Sequence, residues 1–459
     1  MKRLIVIIVI GVAVLSLILI VQRNKAEQPN VIIILIDALR RDHLGVYGYY
    51  RNTTPNIDRF SQEAIVFQDA ISQCPGTSPS VASLFTSLYS SFHGCISYSD
   101  KGEEVKADFL NLKLETLAEM FKEKGYRTGA FVANHWICRR LQFDQGFDVF
   151  DPIDEVFKPL AFKLSEKAFQ WINKDKAKPF FAYLHYMDVH GPYQPPPPYD
   201  SFFKSERVRQ MSKKESDSLG YLSAGRERDK NDLNYYIDRY DGEIRYTDYH
   251  IGRFLEKLRE HNLLENTIIV ITADHGEAFF DHGFCDHGHT VYCEEINVPL
   301  IIKFPKSIKF PDVKDSRVAL IDVAATIMRI LNYCTSYNVE GLDLIDITNK
   351  EVLDSRSIYS QELSTVYPPK IALIKGGYKA VYFVEEQKVT ELYNLIEDKL
   401  ERKNIISGNR DMAKEFEGEI KYWLNIKSQK RIRYGLEEAT VIIEDKERKD
   451  QLRSLGYIQ

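Results

Sequence analysis

The sequence predicts an α/β fold in which a doubly wound, mostly parallel β sheet is flanked by helices. Three observations predict it: continuous apolar runs typical of strands buried on both faces, helical stretches between those runs, and a chain of 459 residues. That length suits one large domain with an appended subdomain. We expect a transmembrane anchor at residues 4–22, the main domain at 28–375, and a smaller antiparallel α+β subdomain with a helical tail at 376–459.

The first residues predict the membrane anchor. Lys2 and Arg3 precede an uncharged run from Leu4 to Val21. At about 1.5 Å rise per residue, this run is near the minimum length that crosses a bilayer core. A cleaved signal peptide is the alternative interpretation, but no motif of small residues typical of a cleavage site follows the run. We therefore expect a single-pass anchor with the main domain outside the cytoplasm.

The predicted strands of the main domain share a continuous apolar core. They are NVIIILID at 30–37, TGAFVAN at 128–134, PFFAYLHYMD at 179–188, NTIIVITADHG at 266–276 and VPLIIKF at 298–304. Helices are predicted at ETLAEMFKEKG (115–125) and IGRFLEKLREH (251–261), which gives the alternation of a doubly wound sheet.

Two further segments depart from this alternation. Residues 201–236 form a charged insertion, interpreted as a solvated helical excursion, with a role in gating substrate as the alternative. After about residue 375, KAVYFVEEQKVTELYNL (379–395) predicts short antiparallel strands joined by a turn, and the last 45 residues are mostly charged helix.

Acidic and imidazole side chains follow three of the predicted strands. Asp37 ends the first, Asp188 and His190 follow the third, and Asp274 and His275 follow the fourth. Ligands bind at the carboxyl ends of strands in open α/β sheets. Two Asp and a His that converge there predict a divalent-metal site, whereas capping of turns is the alternative role for each carboxylate.

The stretch CPGTSPSVASLFTS, residues 74–87, predicts a helix with a hydroxyl at its start. Ser78 and Pro79 are typical of the N-cap and first helical position, and apolar residues then recur on one face. Thr77 lies just before this start, where backbone N–H groups and the helix dipole favour an anion. Beside a metal, its hydroxyl could attack a phosphorus or sulfur centre; the alternative is that these hydroxyls only cap the helix.

Composition excludes some partners. The net charge is −5 with both signs interspersed, and no basic cluster is interleaved with aromatic residues, so we expect no nucleic-acid partner. Six cysteines show no CxxC or zinc-finger spacing, and their pairing cannot be deduced from the sequence.

Several motifs resemble those of the sulfatase family within the alkaline phosphatase superfamily. They are LIDALRRDHLGVYGYYRNTTPNIDRFSQEAIVFQDA, TADHGEAFFDHG, HGHTVYCEEINVPLII, IDVAATIMRIL, ELYNLIEDKLERKNI and the closing QLRSLGYI. They occur in the family's order from about residue 30 to 405, and the tail is similar again. The resemblance implies a sulfatase-type fold and one divalent metal beside an activated nucleophile.

The resemblance also implies which residues hold that metal. Asp37 matches the first of two N-terminal aspartates, but Ala38 replaces the second. Asp274 and His275 match the C-terminal metal pair, and the Thr77 oxygen would complete the set. A His ligand favours Mn²⁺ or Zn²⁺, while all-oxygen ligation would favour Ca²⁺.

Further residues match groups around the substrate. His190 matches a histidine near the transferred group and the leaving oxygen, and His287 or His289 falls where the family places a basic residue on the substrate anion. Arg40 matches an arginine of the N-terminal motif, which we assign to substrate binding. Glu277 is interpreted as support for the metal site.

The main departure concerns the nucleophile. Formylglycine sulfatases resembling this chain carry C-x-P-S-R or S-x-P-S-R, whereas Thr77 and Val81 stand here at the first and last positions. The threonine β-carbon carries a methyl group, so no formylglycine is expected. Threonine nucleophiles occur in superfamily phosphodiesterases and in membrane-anchored transferases; the transferases carry several membrane spans, and one is predicted here.

These observations predict a membrane-anchored, metal-dependent hydrolase of phosphate or sulfate esters, with Thr77 as nucleophile. The expected partner is an anionic ester, a sulfated or phosphorylated glycan or lipid. Two alternatives stay open: a transferase of phosphoryl-linked groups acting on membrane or envelope glycans or lipids, and a non-catalytic binding protein of the same fold.

Overall fold

The computed structural model describes residues 28–96, 98–100, 105–153, 160–219, 232–347, 350–364, 367–436 and 440–443. The predicted anchor at 4–22 and the closing QLRSLGYI lie outside these ranges. Within them, no helix combines the length and the apolar character that crossing a bilayer requires.

An eight-stranded sheet forms the centre of the main domain, in the order β12-β2-β11-β8-β1-β7-β5-β6. Its strands are β1 (Asn30–Ile36), β2 (Ile65–Ile71), β5 (Arg127–Val132), β6 (Val149–Pro152), β7 (Phe180–Tyr186), β8 (Thr267–Thr272), β11 (Asn297–Lys303) and β12 (Arg317–Ala319). Strands β1, β7 and β8 are buried along almost their whole length, as their unbroken apolar sequences predict.

The parallel part of the sheet brings together the ends of the strands that precede the predicted site residues. Strands β6, β5, β7, β1 and β8 run parallel, and β11 is antiparallel to both of its neighbours. In this register Leu35 pairs with His185 on one side and with Thr272 on the other. The mostly parallel sheet is therefore confirmed, and β1, β7 and β8 end at one edge.

Helices cover the sheet in two groups. They are α1 (Pro55–Ser61), α2 (Thr77–Thr86), α3 (Ser90–His93), α4 (Leu117–Glu123), α5 (Ala161–Lys174), α6 (Lys213–Ser218), α7 (Leu233–Glu260), α8 (Cys293–Ile296), α9 (Ile321–Leu331), α10 (Lys350–Ser355) and α11 (Arg410–Tyr434). Helix α7 packs with α1 and α5, while α9 packs with α2 and α4. The charged insertion is helical in part: α6 lies within it, between the buried side chains of Met211 and Leu219.

A smaller antiparallel sheet follows the main domain. It consists of β13 (Ile358–Glu362), β14 (Lys370–Lys375), β15 (Tyr378–Phe383) and β16 (Lys388–Asn394), and α11 packs on it. The predicted strands at 379–395 are confirmed as β15 and β16. The predicted boundary between residues 375 and 376 needs correction, because it falls between the second and third strands of this sheet.

Short strands complete the structure. Strands β3 (Tyr98–Asp100), β4 (Val105–Asp108) and β17 (Thr440–Ile443) form an antiparallel sheet, which returns the chain from α11 to the main domain. Strands β9 (Ala278–Phe279) and β10 (Cys285–Asp286) form a hairpin just beyond β8. We name residues 277–289 the histidine hairpin.

Candidate active site

Two neighbouring strand ends place the acidic groups. Asp37 directly follows β1, and its backbone N–H donates to Tyr186 O on β7 (2.9 Å). Asp274 lies two residues after β8, and its Oδ1 accepts a hydrogen bond from the N–H of Ala38 (3.3 Å). Ala38 adopts a left-handed conformation with φ 55°. It contributes a backbone donor where the resembling family has a second aspartate, and its side chain offers no ligand atom.

Four predicted residues meet at this edge, and we call Asp37, Thr77, Asp274 and His275 the nucleophile cluster. His275 Nε2 lies 3.3 Å from Thr77 Oγ1 and 3.6 Å from both Asp37 Oδ1 and Asp274 Oδ2. The three ionisable side chains are fully buried, and Thr77 is 5% exposed. The structure therefore assembles the predicted metal ligands around one point.

The hydrogen bonds of His275 show what that point requires. Its Nδ1 lies 2.8 Å from Gly276 O, and a carbonyl only accepts, so Nδ1 carries a proton. Its Nε2 faces the Thr77 hydroxyl and two carboxylates. Asp37 Oδ1 and Asp274 Oδ2 are buried and have no hydrogen-bond partner among the described residues. A cation shared by these groups would satisfy both unpaired carboxylate oxygens.

The spacing agrees with a metal ion. Donor atoms about 2.0–2.2 Å from a tetrahedral ion are about 3.3–3.6 Å apart, and the three distances from His275 Nε2 to Thr77, Asp37 and Asp274 lie in this range. The residues present therefore fit the group that the family implies.

The pKa values of the two carboxyl groups are shifted in opposite directions. Burial alone would raise the pKa of Asp37, but the hydrogen bond from His185 and the nearby histidine charges bring it well below its usual range. Burial, and then the negative charge of Asp37, raise the pKa of Asp274. A cation bound between the two carboxylates would favour the ionised form of both.

Sequence reasoning missed the groups that orient Asp37. Its Oδ2 accepts hydrogen bonds from Asn134 Nδ2 (2.5 Å) and from His185 Nε2 (2.9 Å). His185 Nδ1 in turn lies 2.8 Å from the Tyr183 hydroxyl, so this tautomer is held from both sides. The available signal was a histidine inside an otherwise apolar, aromatic strand next to the strand that ends in Asp37.

Helix α2 presents Thr77 to the acidic groups. The helix begins at Thr77 with Gly76 as N-cap, two residues earlier than predicted from Ser78 and Pro79. Ser80, one turn on, donates from Oγ to Asp274 O (2.7 Å). This hydrogen bond joins the start of the helix, and with it Thr77, to the loop that carries Asp274.

Two further histidine rings extend from His275 of the nucleophile cluster. His287 stacks on His275 with ring centroids 4.1 Å apart, and His190 meets His287 edge-on at 4.8 Å. His190 donates from Nδ1 to Gly191 O (2.7 Å), so its Nε2 is the nitrogen that can exchange a proton. The structure thus places His190 and His287 beside the nucleophile cluster.

Carboxylates keep His287 positively charged. Its Nδ1 lies 3.2 Å from Glu277 Oε1 and 3.0 Å from Asp286 Oδ1. Although burial alone would lower it, these carboxylates raise the pKa of His287 well above its usual value. Glu277 also accepts a hydrogen bond from the Tyr193 hydroxyl (2.8 Å), so it supports His287 rather than the metal ligands.

His289 lies farther along the same loop. Its Nε2 is 3.6 Å from Asp286 Oδ2, and its ring meets Tyr367 edge-on at 4.1 Å. Asp286 therefore separates it from His287. Of the two histidines predicted to hold the substrate anion, His287 is the one in contact with the nucleophile cluster.

Arg40 is committed to protein acceptors. Its Nε and Nη2 bond Asp42, its Nη1 bonds Glu277 O and Asp281, and a longer contact joins Nη2 to Asp281. A guanidinium has five N–H donors, and these five contacts use them all. The geometry favours a role in fixing the histidine hairpin over the predicted contact with substrate.

All six cysteines are free thiols, including buried Cys74 three residues before Thr77. Burial raises the pKa of the Cys74 thiol well above its ordinary value, so the thiol stays protonated. Cys74 offers no thiolate beside Thr77.

The sequence matches the Sulfatase family over residues 29–333 and the family described as N-sulphoglucosamine sulphohydrolase, C-terminal, over residues 280–429. The chain is 25% identical over 471 aligned residues to an arylsulfatase of Clostridium perfringens, and this alignment covers 85% of the chain and 95% of that relative.

Two solved structures are also similar. One protein, in complex with its substrate D-glucosamine-2-N,6-O-disulfate, is 20% identical with a TM-score of 0.66, covering 90% of this chain and 99% of that one. The phosphonate monoester hydrolase of Agrobacterium radiobacter is 17% identical with a TM-score of 0.66, covering 88% and 96%. At these identities the likeness shows a shared fold.

Proposed function

Because this chain belongs to the sulfatase family, we propose that it hydrolyses anionic esters with Thr77 as its nucleophile and one divalent metal ion as cofactor. The observation that carries the proposal is the 3.3 Å approach of Thr77 Oγ1 to His275 Nε2, at the point where two buried carboxylate oxygens converge. A capping threonine would need neither the histidine nor the carboxylates.

The metal would be held by Asp37, Asp274, His275 and the Thr77 oxygen. When bound, such an ion lowers the pKa of the threonine hydroxyl and offsets negative charge on the substrate. The rest of the chemistry falls to the protein. The N-terminus of α2 adds backbone N–H groups and the positive end of its dipole beside the substrate oxygens.

The reaction divides into two displacements. The Thr77 oxygen forms a bond to the phosphorus or sulfur atom as the bond to the leaving oxygen breaks, and His190 Nε2 gives that oxygen a proton. Positively charged His287 stabilises the charge that develops on the remaining oxygens. Water then attacks the same centre and gives a proton to His190 Nε2, and the bond to the Thr77 oxygen breaks. This step releases Thr77 and a phosphomonoester, phosphonate or sulfate, according to the ester cleaved.

The threonine also bears on which ester is cleaved. A formylglycine sulfatase releases sulfate by opening a hemiacetal, a route that needs an aldehyde and is closed to Thr77. The covalent ester on Thr77 must instead be resolved by attack at phosphorus or sulfur. We therefore propose that phosphodiesters and phosphonate esters react faster than matched sulfate monoesters. The fold is shared with a phosphonate monoester hydrolase and with a protein solved with a sulfated substrate, so the fold is compatible with both classes of ester.

The natural substrate class we propose is a glycan or lipid that carries such an anionic ester. Support comes from a similar structure solved with a disulfated glucosamine as its substrate. The uncharged run from Leu4 to Val21 supports attachment of the enzyme to a membrane, with the catalytic domain outside the cytoplasm. Full-length protein should stay with membranes through a carbonate wash, and a chain that starts at Pro29 should not. Release of the full-length protein by the wash would contradict the anchor.

One assay tests the proposed reaction. Aryl phosphodiester, phosphonate monoester, phosphomonoester and sulfate with the same leaving group are compared under one metal, for the wild type and for Thr77→Ala and Thr77→Ser. The phosphodiester or phosphonate should be preferred, Thr77→Ala should be inactive, and Thr77→Ser should retain part of the rate. A clear preference for sulfate, or near-normal turnover by Thr77→Ala, would contradict the proposal.

A further inference from the structure

The histidine hairpin has little support of its own. Its strands β9 and β10 are two residues long: Ala278 pairs with Asp286 and Phe279 with Cys285, and Phe280 N–H donates to Phe284 O (2.7 Å). A short isolated hairpin is at best marginally stable in water. Yet Glu277, at the base of the hairpin, contacts His287, and His287 must keep its own contacts with His275 and His190. Contacts at its tip therefore bear on where His287 lies.

His282 lies at that tip, and both of its ring nitrogens face acceptors. Nδ1 lies 2.7 Å from Glu294 Oε1 on α8, and Nε2 lies 3.1 Å from the backbone oxygen of Glu401. A carbonyl only accepts, so Nε2 carries a proton, and an ionised carboxylate likewise requires one on Nδ1. The contacts thus select the doubly protonated, positively charged ring. That ring also stacks on Tyr292 at 4.0 Å with an interplanar angle of 12°.

The partners of His282 are themselves fixed. Both Glu401 carboxylate oxygens accept hydrogen bonds from buried Lys379 on β15 (2.8 and 2.9 Å). Lys379 also donates to Val291 O, close behind the hairpin in sequence. His282 therefore joins the hairpin to an ion pair that belongs to the C-terminal sheet.

We propose that His282 is a positioning residue: its charged ring fastens the histidine hairpin to α8 and to the C-terminal sheet, and so holds Glu277 and His287 in place for the substrate. The proposal rests on the proposed function in assigning His287 to the substrate anion. It makes the C-terminal sheet part of the catalytic apparatus, although that sheet supplies none of the residues of the nucleophile cluster.

The role of His282 depends on pH in a definite direction. Burial alone would lower its pKa, but Glu294 and the Glu401 carbonyl and carboxylate raise it above the ordinary value. The charged groups around it are Glu294 from α8, Glu401 and Lys379 from the C-terminal part, and the neighbouring Asp281, which Arg40 and Arg402 hold. The attachment is complete below pH 6.5 and is lost as the pH rises through the raised pKa of the folded state.

The test compares His282→Phe with His261→Phe. The first variant keeps a ring that can stack on Tyr292 and loses both donors. The second is a matched control: His261 also packs on an aromatic ring, Phe169, and bonds a carbonyl oxygen, but it follows α7, far along the chain from the site. Hydrogen exchange of residues 280–291, bound metal, kcat and KM are measured for each.

We expect His282→Phe to exchange faster in the hairpin, to keep its metal, and to lose about 10–100-fold in kcat/KM through both kcat and KM. His261→Phe should match the wild type in all four. His282→Gln, which keeps one donor, should lie between. Exchange and kcat/KM that are unchanged in His282→Phe would overturn the proposal, as would losses fully explained by unfolded protein or lost metal.

The exchange measurement also separates this proposal from the proposed function. If the wild type hydrolyses no ester, the proposed function fails, and hairpin exchange still decides the role of His282. Should His282→Phe not fold, His282→Gln supplies the decision: hairpin protection, corrected for intrinsic rates, must fall in the wild type as pH rises above neutrality, and must fall less in His282→Gln. Protection that does not change with pH, in a protein whose global stability is constant, would overturn it.

Discussion

The nucleophile cluster and the histidine hairpin lie side by side but are built differently. Asp37 and Asp274 follow adjacent strands in the middle of an eight-stranded sheet, and Thr77 begins a ten-residue helix joined to the same loop. His287 instead follows a two-residue strand of the histidine hairpin. The tip of this hairpin is held by His282 and by residues more than a hundred positions away in sequence. The nucleophile cluster thus rests on the ends of central strands and the start of a helix, while His287 rests on a short hairpin that side-chain contacts hold.

This difference separates two kinds of failure. A change in the nucleophile cluster should remove the metal or the nucleophile and abolish turnover while the protein stays folded. A change that loosens the hairpin should leave the metal in place and weaken transition-state stabilisation in proportion to the displacement of His287.

The largest effect is expected from Asp274→Ala. Removing this ligand leaves Asp37 and His275 with one carboxylate fewer around the cation. The wild type purified without chelator should hold about one divalent ion per chain, and the variant should hold none and lose at least about 10⁴-fold in kcat. Elemental analysis and an ester assay check both. Asp200→Ala, which removes an exposed carboxylate, is the control; a metal-free wild type that still turns over substrate would contradict the account.

An intermediate effect is expected from His287→Ala. This variant removes the positive charge next to His275 and leaves the metal ligands intact, so kcat/KM should fall by about 100-fold at unchanged metal content. His289→Ala is the matched comparison, since His289 shares Asp286 but contacts Tyr367 instead of the nucleophile cluster, and it should cost less than about 10-fold. Equal losses in the two variants would end the distinction between them.

The smallest effect on activity is expected at His93, where the prediction concerns stability on the side of the nucleophile cluster. His93 accepts from Cys95 N–H at Nδ1 (3.1 Å), so its Nε2 carries the proton donated to Ser83 Oγ (3.0 Å) on α2. Burial, and then the charge of Arg431, lower the pKa of His93 to about 3. The unfolded chain titrates near pH 6.5, so this contribution is fully present above that pH.

As the pH falls from about 6.5 toward 3, the unfolded chain binds one more proton, and stability should decline by up to about 1.4 kcal/mol per pH unit. Urea unfolding at several pH values should show a shallower decline for His93→Gln than for the wild type. Parallel curves for the two proteins would mean that His93 does not carry this dependence.

The same contrast explains what the sequence could predict. Asp37, Asp274 and His275 follow long apolar runs, and the parallel register brings such ends together, so local pattern was enough. Thr77 was predictable from helix-start residues, although the helix begins two positions earlier than predicted. The roles of His185 and Asn134 were not, because their contacts with Asp37 join residues about 100 to 150 positions apart.

The boundary of the C-terminal sheet was misplaced for a physical reason. Strand β13 reads IYSQE and is buried throughout, with Ser360, Gln361 and Glu362 among its buried side chains. Gln361 donates from its backbone N–H to Gln73 O (2.8 Å) and accepts from Ser91 N–H at its side chain (3.1 Å). A strand that buries polar groups against another domain has no apolar alternation to reveal it.

The central claim is that Thr77 carries the transferred group, and mass analysis of the trapped intermediate tests it most directly. The wild type is quenched in acid during turnover of an aryl phosphate ester, digested, and the peptide that contains residues 74–87 is examined for one added phosphoryl group. The account predicts this addition on Thr77, its growth and decay with turnover, and its absence in Thr77→Ala. Continued turnover by Thr77→Ala, or a phosphoryl group on Ser78 or Ser80 instead, would contradict it.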